Sequence, residues 1–219
     1  MELFKKLFFD ILDQNYIILY NSSLIWMIYL ILFIILFIEN GILPAAFLPG
    51  DSLLILVGVL IAKNILNYPL TIFILTLGTS LGCWFGYIQG KWLSNSRLIK
   101  KWFTNLPKNY HYRAYNLLYK HGLLSLLIGK FLPFIRTLLP IIAGFTKLKL
   151  KSFQIFNLLS GFLWVLILTF IGYSFYKSQL FQQYEYRITN ILILIPIILL
   201  IIGFLGSIAF FIKKNIYSK

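Results

Sequence analysis

Four charged residues lie in otherwise apolar stretches of this sequence and could carry its chemistry. The chain has six acidic residues, and only Glu39 and Asp51 among them lie away from the chain ends and the polar loops. Lys130 and Arg136 are basic residues within a second apolar stretch. An ionisable side chain at membrane depth is costly unless it is paired or hydrated, so each of the four is a candidate functional residue.

The two signs of charge suggest two different roles. Arg136 offers a planar fork of donors and Lys130 a mobile point charge, and two such cations suit a phosphate group if they converge. Glu39 and Asp51 suit proton coupling, because burial favours the neutral form of a carboxyl group whereas a nearby cation favours the charged form. One alternative stays open: the acids could simply neutralise the bases and lock two segments together.

Helix-breaking residues separate the members of each pair. On an unbroken helix with roughly 100° per residue, Lys130 and Arg136 would project about 240° apart and could not readily share a ligand. Proline removes a backbone donor and glycine admits unusual dihedral angles, so an interrupted segment lets the two side chains converge. The predicted hairpin breakers are Pro44, Pro49 and Gly50 in the first segment and Pro133 and Pro140 in the second.

Membrane helices are the elements that must position these residues. The chain of 219 residues is 60% hydrophobic, and its mean hydropathy is +0.85. A soluble domain of this size could not bury so much apolar surface in one core. Several apolar stretches approach or exceed the roughly 20 residues that cross a bilayer as a helix. They are Leu24–Ile38, Pro69–Gly90, Ser152–Tyr176 and Ile188–Ile212.

The distribution of lysine and arginine predicts the orientation of these helices. The formal net charge is +14, but the cations lie in connectors and at the termini, which favours lipid headgroups over nucleic acid as partners. The connector 91–121 contains seven cations and no acid, so we expect it in the cytoplasm. Segment 122–146 then has both flanks in the cytoplasm. If Leu24–Ile38 crosses outward and Pro69–Gly90 crosses inward, segment 41–62 begins and ends outside.

The sequence therefore predicts an all-α fold, a polytopic membrane helix bundle with two opposed re-entrant hairpins, 41–62 and 122–146, in an inverted repeat. The strings Phe47-Leu-Pro49 and Phe131-Leu-Pro133 occupy corresponding places in the two halves. Paired segments interrupted by glycine or proline in two halves are a sequence pointer to a transporter's binding site.

The chain divides into three parts on this interpretation. An amphipathic lead-in covers residues 1–23, a single transmembrane domain covers 24–212, and a basic tail covers 213–219. The four predicted crossings place both termini in the cytoplasm. Glycines at every fourth position from Gly78 to Gly90 indicate a smooth helix face for close packing.

Little in the sequence favours an enzyme or a metalloprotein. Ser80 has no evident base partner, and His111 and His121 fall in the connector rather than in the apolar segments, which argues against an intramembrane hydrolase. The single cysteine, Cys83, argues weakly against a metal site. We predict no catalytic residue, no cofactor and no metal ion.

Several motifs, taken in order, resemble a known family. They are Glu39, Phe47-Leu-Pro-Gly-Asp51, Tyr119-Lys-His-Gly122, Gly129-Lys-Phe-Leu-Pro-Phe-Ile-Arg136, Ala143-Gly144, Gly161, Trp164 and Gly172-Tyr173. Their order and spacing, from Glu39 to Tyr176, resemble the DedA family of bacterial membrane proteins. The resemblance implies two opposed re-entrant hairpins, a relation to eukaryotic lipid scramblases, and movement of lipid phosphates, notably undecaprenyl phosphate, in dependence on the proton gradient.

The resemblance also assigns the functional positions. The family's functional acids and arginines fall on Glu39, Asp51, Lys130 and Arg136. The family usually has arginine where this chain has Lys130, and lysine keeps the charge but loses the bidentate geometry. A second departure is Tyr176, where a glycine is common.

We therefore expect a transporter or flippase of a lipid phosphate, either undecaprenyl phosphate or a phospholipid, in the bacterial cytoplasmic (inner) membrane. Lys130 and Arg136 would bind the phosphate, and Glu39 and Asp51 would couple its movement to protons. Two other functions stay open: a proton-coupled antiporter of small cations or drugs, and a structural membrane protein that transports nothing. The sequence does not determine the oligomeric state.

Overall fold

The computed structural model describes residues 22–42, 48–93, 122–132, 135–146 and 148–184, together with scattered positions between 187 and 198. The described residues form helices, turns and short loops and contain no strand. Most of the lead-in 1–23, nearly all of the connector 91–121, most of Ile188–Ile212 and the tail 213–219 lie outside this part, as do Pro44 and Pro133.

The elements with described bounds are seven α-helices and one 3₁₀ turn, and the scattered described positions between 187 and 198 are helical as well. The helices are α1 (Ser22–Gly41), α2 (Gly50–Ala62), α3 (Tyr68–Leu93), α4 (Ser125–Gly129), α5 (Ile135–Phe145), α6 (Leu150–Tyr176) and α7 (Gln179–Gln183), and the 3₁₀ turn is Gly122–Leu124.

Three of these helices are long and apolar enough to cross a bilayer, which confirms three of the predicted apolar spans. They are α1 over Leu24–Gly41, α3 over Tyr68–Trp92 and α6 over Leu150–Tyr176. α2 and α5 are apolar too but shorter, with 13 and 11 residues. Each is too short to cross the hydrocarbon region, which takes about 20 residues.

α3 lies at the centre of the described helices, where it packs against α1, α5 and α6. Two buried apolar clusters form around it. One includes Leu36, Leu54, Leu75 and Trp164 and joins α1, α2, α3 and α6. The other joins the second half of α3 to α4, α5 and α6. The charged residues of interest lie where the two clusters meet.

α1 and α3 run in the same direction, whereas the sequence predicts opposite directions. Tyr29 Oη lies 3.1 Å from Thr71 Oγ1 near the start of both helices. Near their other ends, Gln89 Nε2 donates to Gly41 O at 2.9 Å. The prediction is wrong because α2, about 20 Å long at 1.5 Å per residue, carries the chain back to the start of α1.

The start of α3 shows this return of the chain directly. Asn67 N donates to Tyr29 Oη at 3.1 Å, so the residues that follow α2 lie near the beginning of α1. The first residues of α1 and the beginning of the connector at Lys91 are therefore at opposite ends of the bundle. The sequence had placed them on the same side, because the count of positive charges orients a connector but does not reveal where an apolar segment turns.

The predicted breakers behave differently from one another. Pro49 immediately precedes Gly50 at the start of α2, where the first backbone N–H groups of a helix are unpaired and a proline fits. Pro140, by contrast, lies inside the continuous helix α5, so its prediction as a breaker is wrong. Its ring packs beside Gly86 of α3, and membrane helices tolerate proline where their neighbours fill the gap.

The glycine face of α3 gives a test of how closely the helices approach. A Cβ at Gly90 would overlap the backbone of Ile141, including its carbonyl oxygen, whereas a Cβ at Gly86 would meet only ordinary contacts of 3.4 Å and longer. We expect Gly90→Ala to destabilise the protein by about 1–3 kcal/mol, because backbone atoms cannot move aside. Gly86→Ala, one turn away, is the matched control and should change little. Thermal unfolding in detergent measures both, and equal melting temperatures would contradict the packing.

Candidate functional site: a buried ion cluster

Arg136 is bound by two carboxylates at the centre of the bundle. Its Nη2 forms an ion pair with Glu39 Oε1, and its Nη1 donates to Asp51 Oδ1 at 2.7 Å. Arg136 and Glu39 are buried, whereas the Asp51 side chain is 45% exposed. The cluster therefore has one carboxylate that is partly exposed and one that is buried.

The ends of three helices place these groups. Glu39 lies in the last turn of α1, Asp51 in the first turn of α2, and Arg136 in the first turn of α5. Gly50 N donates to Glu39 Oε1 at 3.3 Å, and a Cβ at this glycine would collide with the Glu39 carboxylate. The sequence predicted Gly50 only as a hairpin breaker, whereas in the structure it begins α2 and allows the close approach of Glu39.

Trp164 of α6 connects the charged residues. Its Nε1 donates to Asp51 Oδ1 at 3.1 Å. Its ring lies 5.1 Å from Arg136 Cζ and 5.5 Å from Lys130 Nζ, within the range of cation–π attraction. Trp164 is fully buried, so these contacts are protected from competing water.

Lys130 has neutral partners, unlike Arg136. Its Nζ donates to Asn40 Oδ1 at 2.8 Å and to Cys83 Sγ at 3.2 Å. Asn40 is held in turn, because its Nδ2 donates to Leu36 O at 2.8 Å. Neighbouring residues of α1 therefore bind different cations: Glu39 binds Arg136 and Asn40 binds Lys130.

The structure thus brings all four charged residues predicted from the sequence into one cluster. It differs from a simple pairing of two acids with two bases, because both acids bind Arg136. A small cavity of about 10 Å³ adjoins Lys130 and Arg136 and is also lined by Asn157 and Ser160. This volume is comparable to that of a single water-sized probe.

Three polar residues were not predicted as site residues: Asn40 and Cys83, which bind Lys130, and Asn157, which lines the adjoining cavity. Trp164 was predicted only as a motif residue. For Asn40 a signal existed, since it directly follows Glu39 in an apolar helix. Asn157 donates from Nδ2 to Ser80 O at 2.9 Å and is 1% exposed, but nothing in the local sequence indicated that partner.

These features define an all-helical membrane protein with a buried, mixed-charge cluster between its helices. Residues 48–174 match the VTT domain. The chain belongs to the DedA family, as its similarity to known members shows.

Two of the similar proteins are named as inner membrane proteins. The chain is 53% identical to the inner membrane protein YqjA of Escherichia coli strain K12 over 98% of both chains. It is 46% identical to the inner membrane protein YghB of Salmonella typhimurium strain LT2 over 93% of both, and 31% identical to the protein DedA of Escherichia coli strain K12 over 73% of both. No solved structure matches the chain.

The unequal exposure of the two acids predicts unequal effects on stability. Glu39→Gln leaves Arg136 with one charged partner in a dry environment, and breaking a buried pair is strongly destabilising. Asp51→Asn removes a partly exposed charge, and water can compensate in part. We expect Glu39→Gln to lower the melting temperature in detergent clearly more than Asp51→Asn. The reverse order would show that Asp51 is the main counter-ion of Arg136.

Proposed function

We propose that this protein is a membrane transporter that moves a lipid phosphate, undecaprenyl phosphate or a phospholipid, across the bacterial cytoplasmic membrane with coupling to the proton gradient. The observation that carries the proposal is the arrangement at Arg136, where a buried guanidinium is held by two groups that can each take up a proton. The proposal assigns no bond-making or bond-breaking chemistry to the chain. Its partners are membrane lipids and protons.

Two opposed re-entrant hairpins are part of this proposal. The sequence predicted the first at 41–62, but Gly41 and the residues after α2 lie at opposite ends of α3, so these bounds are wrong. The first hairpin would instead consist of α1 and α2, which leave and return to the starting end of α3. The second would be segment 122–146, whose α5 runs from Arg136 to Gly144 beside Tyr87 and Lys91 of α3. The ion pairs then join the turn of one hairpin to the turn of the other, an arrangement that an inverted repeat would produce.

Arg136 and Lys130 are the proposed phosphate ligands. A phosphate presents several acceptor oxygens, which suit the fork of Arg136 and the remaining N–H of Lys130. The adjoining cavity of about 10 Å³ is far too small for a phosphate group, so binding requires the hairpins to separate. The described arrangement thus corresponds to the closed, ion-paired state of the proposed cycle.

Protons would release Arg136 for the phosphate. The two acids and two bases sum to zero net charge when all are ionised. If a phosphate oxygen replaces a carboxylate on Arg136, a proton on that carboxylate offsets one negative charge of the phosphate, which limits the cost of an unpaired charge in a dry site. Asp51, the more exposed acid, is the group that can exchange protons directly with water.

The orientation follows from the connector. If residues 91–121 face the cytoplasm, the C-terminal end of α3 is cytoplasmic and the starts of α1 and α3 lie toward the opposite side. α6 packs against α3 in the opposite direction, because Tyr87 stacks on Phe153 while Ser80 O binds Asn157. A crossing by Ile188–Ile212 would then bring the C-terminus to the cytoplasm, as the sequence predicts.

Transport by purified protein in liposomes tests the anion site. With a fluorescent lipid phosphate, Arg136→Lys should lower the affinity about tenfold to a hundredfold, since one charge-assisted hydrogen bond of the fork is lost. Lys130→Arg should retain transport and Lys130→Met should lose it. Lys151→Ala, which removes an exposed cation of α6, is the control. Full transport by both Lys130→Met and Arg136→Lys would exclude the anion site. The four charged residues would then serve only as a structural lock between the segments.

The release of Arg136 by protons predicts a pH dependence. Binding of the lipid phosphate should strengthen as the pH falls, because protonation removes a competing carboxylate from Arg136. Asp51→Asn imitates the protonated acid, so its binding should be tighter near neutral pH and depend less on pH than that of the wild type. Binding titrations at several pH values measure this. A variant with the same pH dependence as the wild type would exclude Asp51 as the coupling group.

A further inference from the structure

A row of buried polar side chains follows the contact between α3 and α6 beside the ion cluster. Asn157 Nδ2 donates to Ser80 O at 2.9 Å, and Ser160 Oγ donates to Asn157 O at 2.9 Å. Thr79 Oγ1 donates to Thr76 O at 3.1 Å. Polar groups are costly between apolar helices, and neither the ion pairs nor the proposed phosphate contacts need these side chains.

Several atoms in and near this row have no hydrogen-bond partner among the described residues. They are Thr76 Oγ1, Ser80 Oγ, Arg136 Nε and Glu39 Oε2, and all four are buried. Thr76 is 6% exposed and Ser80 is 7% exposed. Buried polar groups without a protein partner are usually satisfied by ordered water, because leaving them unsatisfied is expensive.

Space for about one water exists beside Arg136, at one end of the row. Arg136, Asn157 and Ser160 line the cavity of about 10 Å³, a volume close to that of one water-sized probe. A Cβ on Gly161 would lie 2.7 Å from Thr79 Oγ1 and 3.2 Å from Ser80 Oγ. A side chain at Gly161 would therefore crowd the hydroxyl groups of α3.

The row points toward the starting end of α3. Thr76 lies one helical turn before Ser80, and Leu70 lies six residues before Thr76, about 9 Å along the helix axis. Leu70 lines an open cavity of about 760 Å³ at that end of the bundle, together with Asn67 and Tyr173. A packed apolar section that includes the buried Ile72 and Leu75 separates the row from this cavity, and protons would have to cross it.

We infer that the row binds a chain of water molecules that delivers protons to Glu39 from the starting end of α3. Glu39 is fully buried and cannot exchange protons directly with bulk water, unlike Asp51. In each step one water gives a proton to its neighbour and receives another from behind, and the last proton binds a Glu39 carboxylate oxygen. No bond other than O–H changes. The inference rests on the proposed coupling to protons.

Proton uptake into liposomes, measured with a pH-sensitive dye in the lumen under an imposed gradient, tests the path. Thr76→Val together with Ser80→Ala should lower the uptake about tenfold, the effect of losing buried hydrogen-bond partners of water. Thr169→Val is the matched control, because Thr169 Oγ1 already donates to Val165 O at 2.7 Å within its own helix. Uptake at the wild-type rate in the double variant would overturn the path.

Thiol labelling tests the water itself, without reliance on transport. In a Cys83→Ser parent, Ser80→Cys should react with a small, charged methanethiosulfonate at least about tenfold faster than Thr169→Cys, since only hydrated thiols ionise and react readily. Equal, slow labelling would overturn the water row. A wild-type protein that takes up protons but moves no lipid phosphate would refute the proposed function and still support the path.

Discussion

Arg136 is held between two carboxylates in a part of the protein that water hardly reaches. A guanidinium in such a place is stable only if its charge is matched and its donors are used. Glu39 and Asp51 match the charge of Arg136 and accept from its two terminal nitrogens. Gly50 and Trp164 donate to these two carboxylates in turn, and the indole ring lies beside the cation. Because the three charged groups come from α1, α2 and α5, the position of each helix end depends on the same interaction.

The packing of the helices follows from that constraint. α2 must begin beside Glu39, which requires a residue without a side chain at position 50. α5 must lie close enough to α3 for Arg136 to reach the centre, and Gly90 and Gly144 let the two backbones approach without intervening Cβ atoms. The small residues of these helices therefore serve the ion cluster indirectly, by allowing the helices that carry it to meet.

The difference between the two cations bears on the proposed mechanism. Arg136 is engaged by charged partners and Lys130 by the neutral Asn40 and Cys83. An anion can approach Lys130 without displacing a carboxylate, whereas Arg136 becomes available only when a carboxylate leaves. A cluster that served only as a lock would have no need of a second buried cation with neutral partners. This asymmetry supports a transport cycle in which the same ion pairs close the protein and are opened by protons.

The sequence by itself determined the membrane class, the helical architecture and the four charged residues of the cluster. Hydropathy and the rarity of charge in apolar stretches are local properties, so they can be summed along the chain. Only the tertiary structure decided that both acids bind Arg136, that Asn40 and Cys83 hold Lys130, that α1 runs parallel to α3, and that α5 continues through Pro140. These features depend on which surfaces pack together, and residues such as Glu39 and Arg136, far apart in the chain, become neighbours only through the fold.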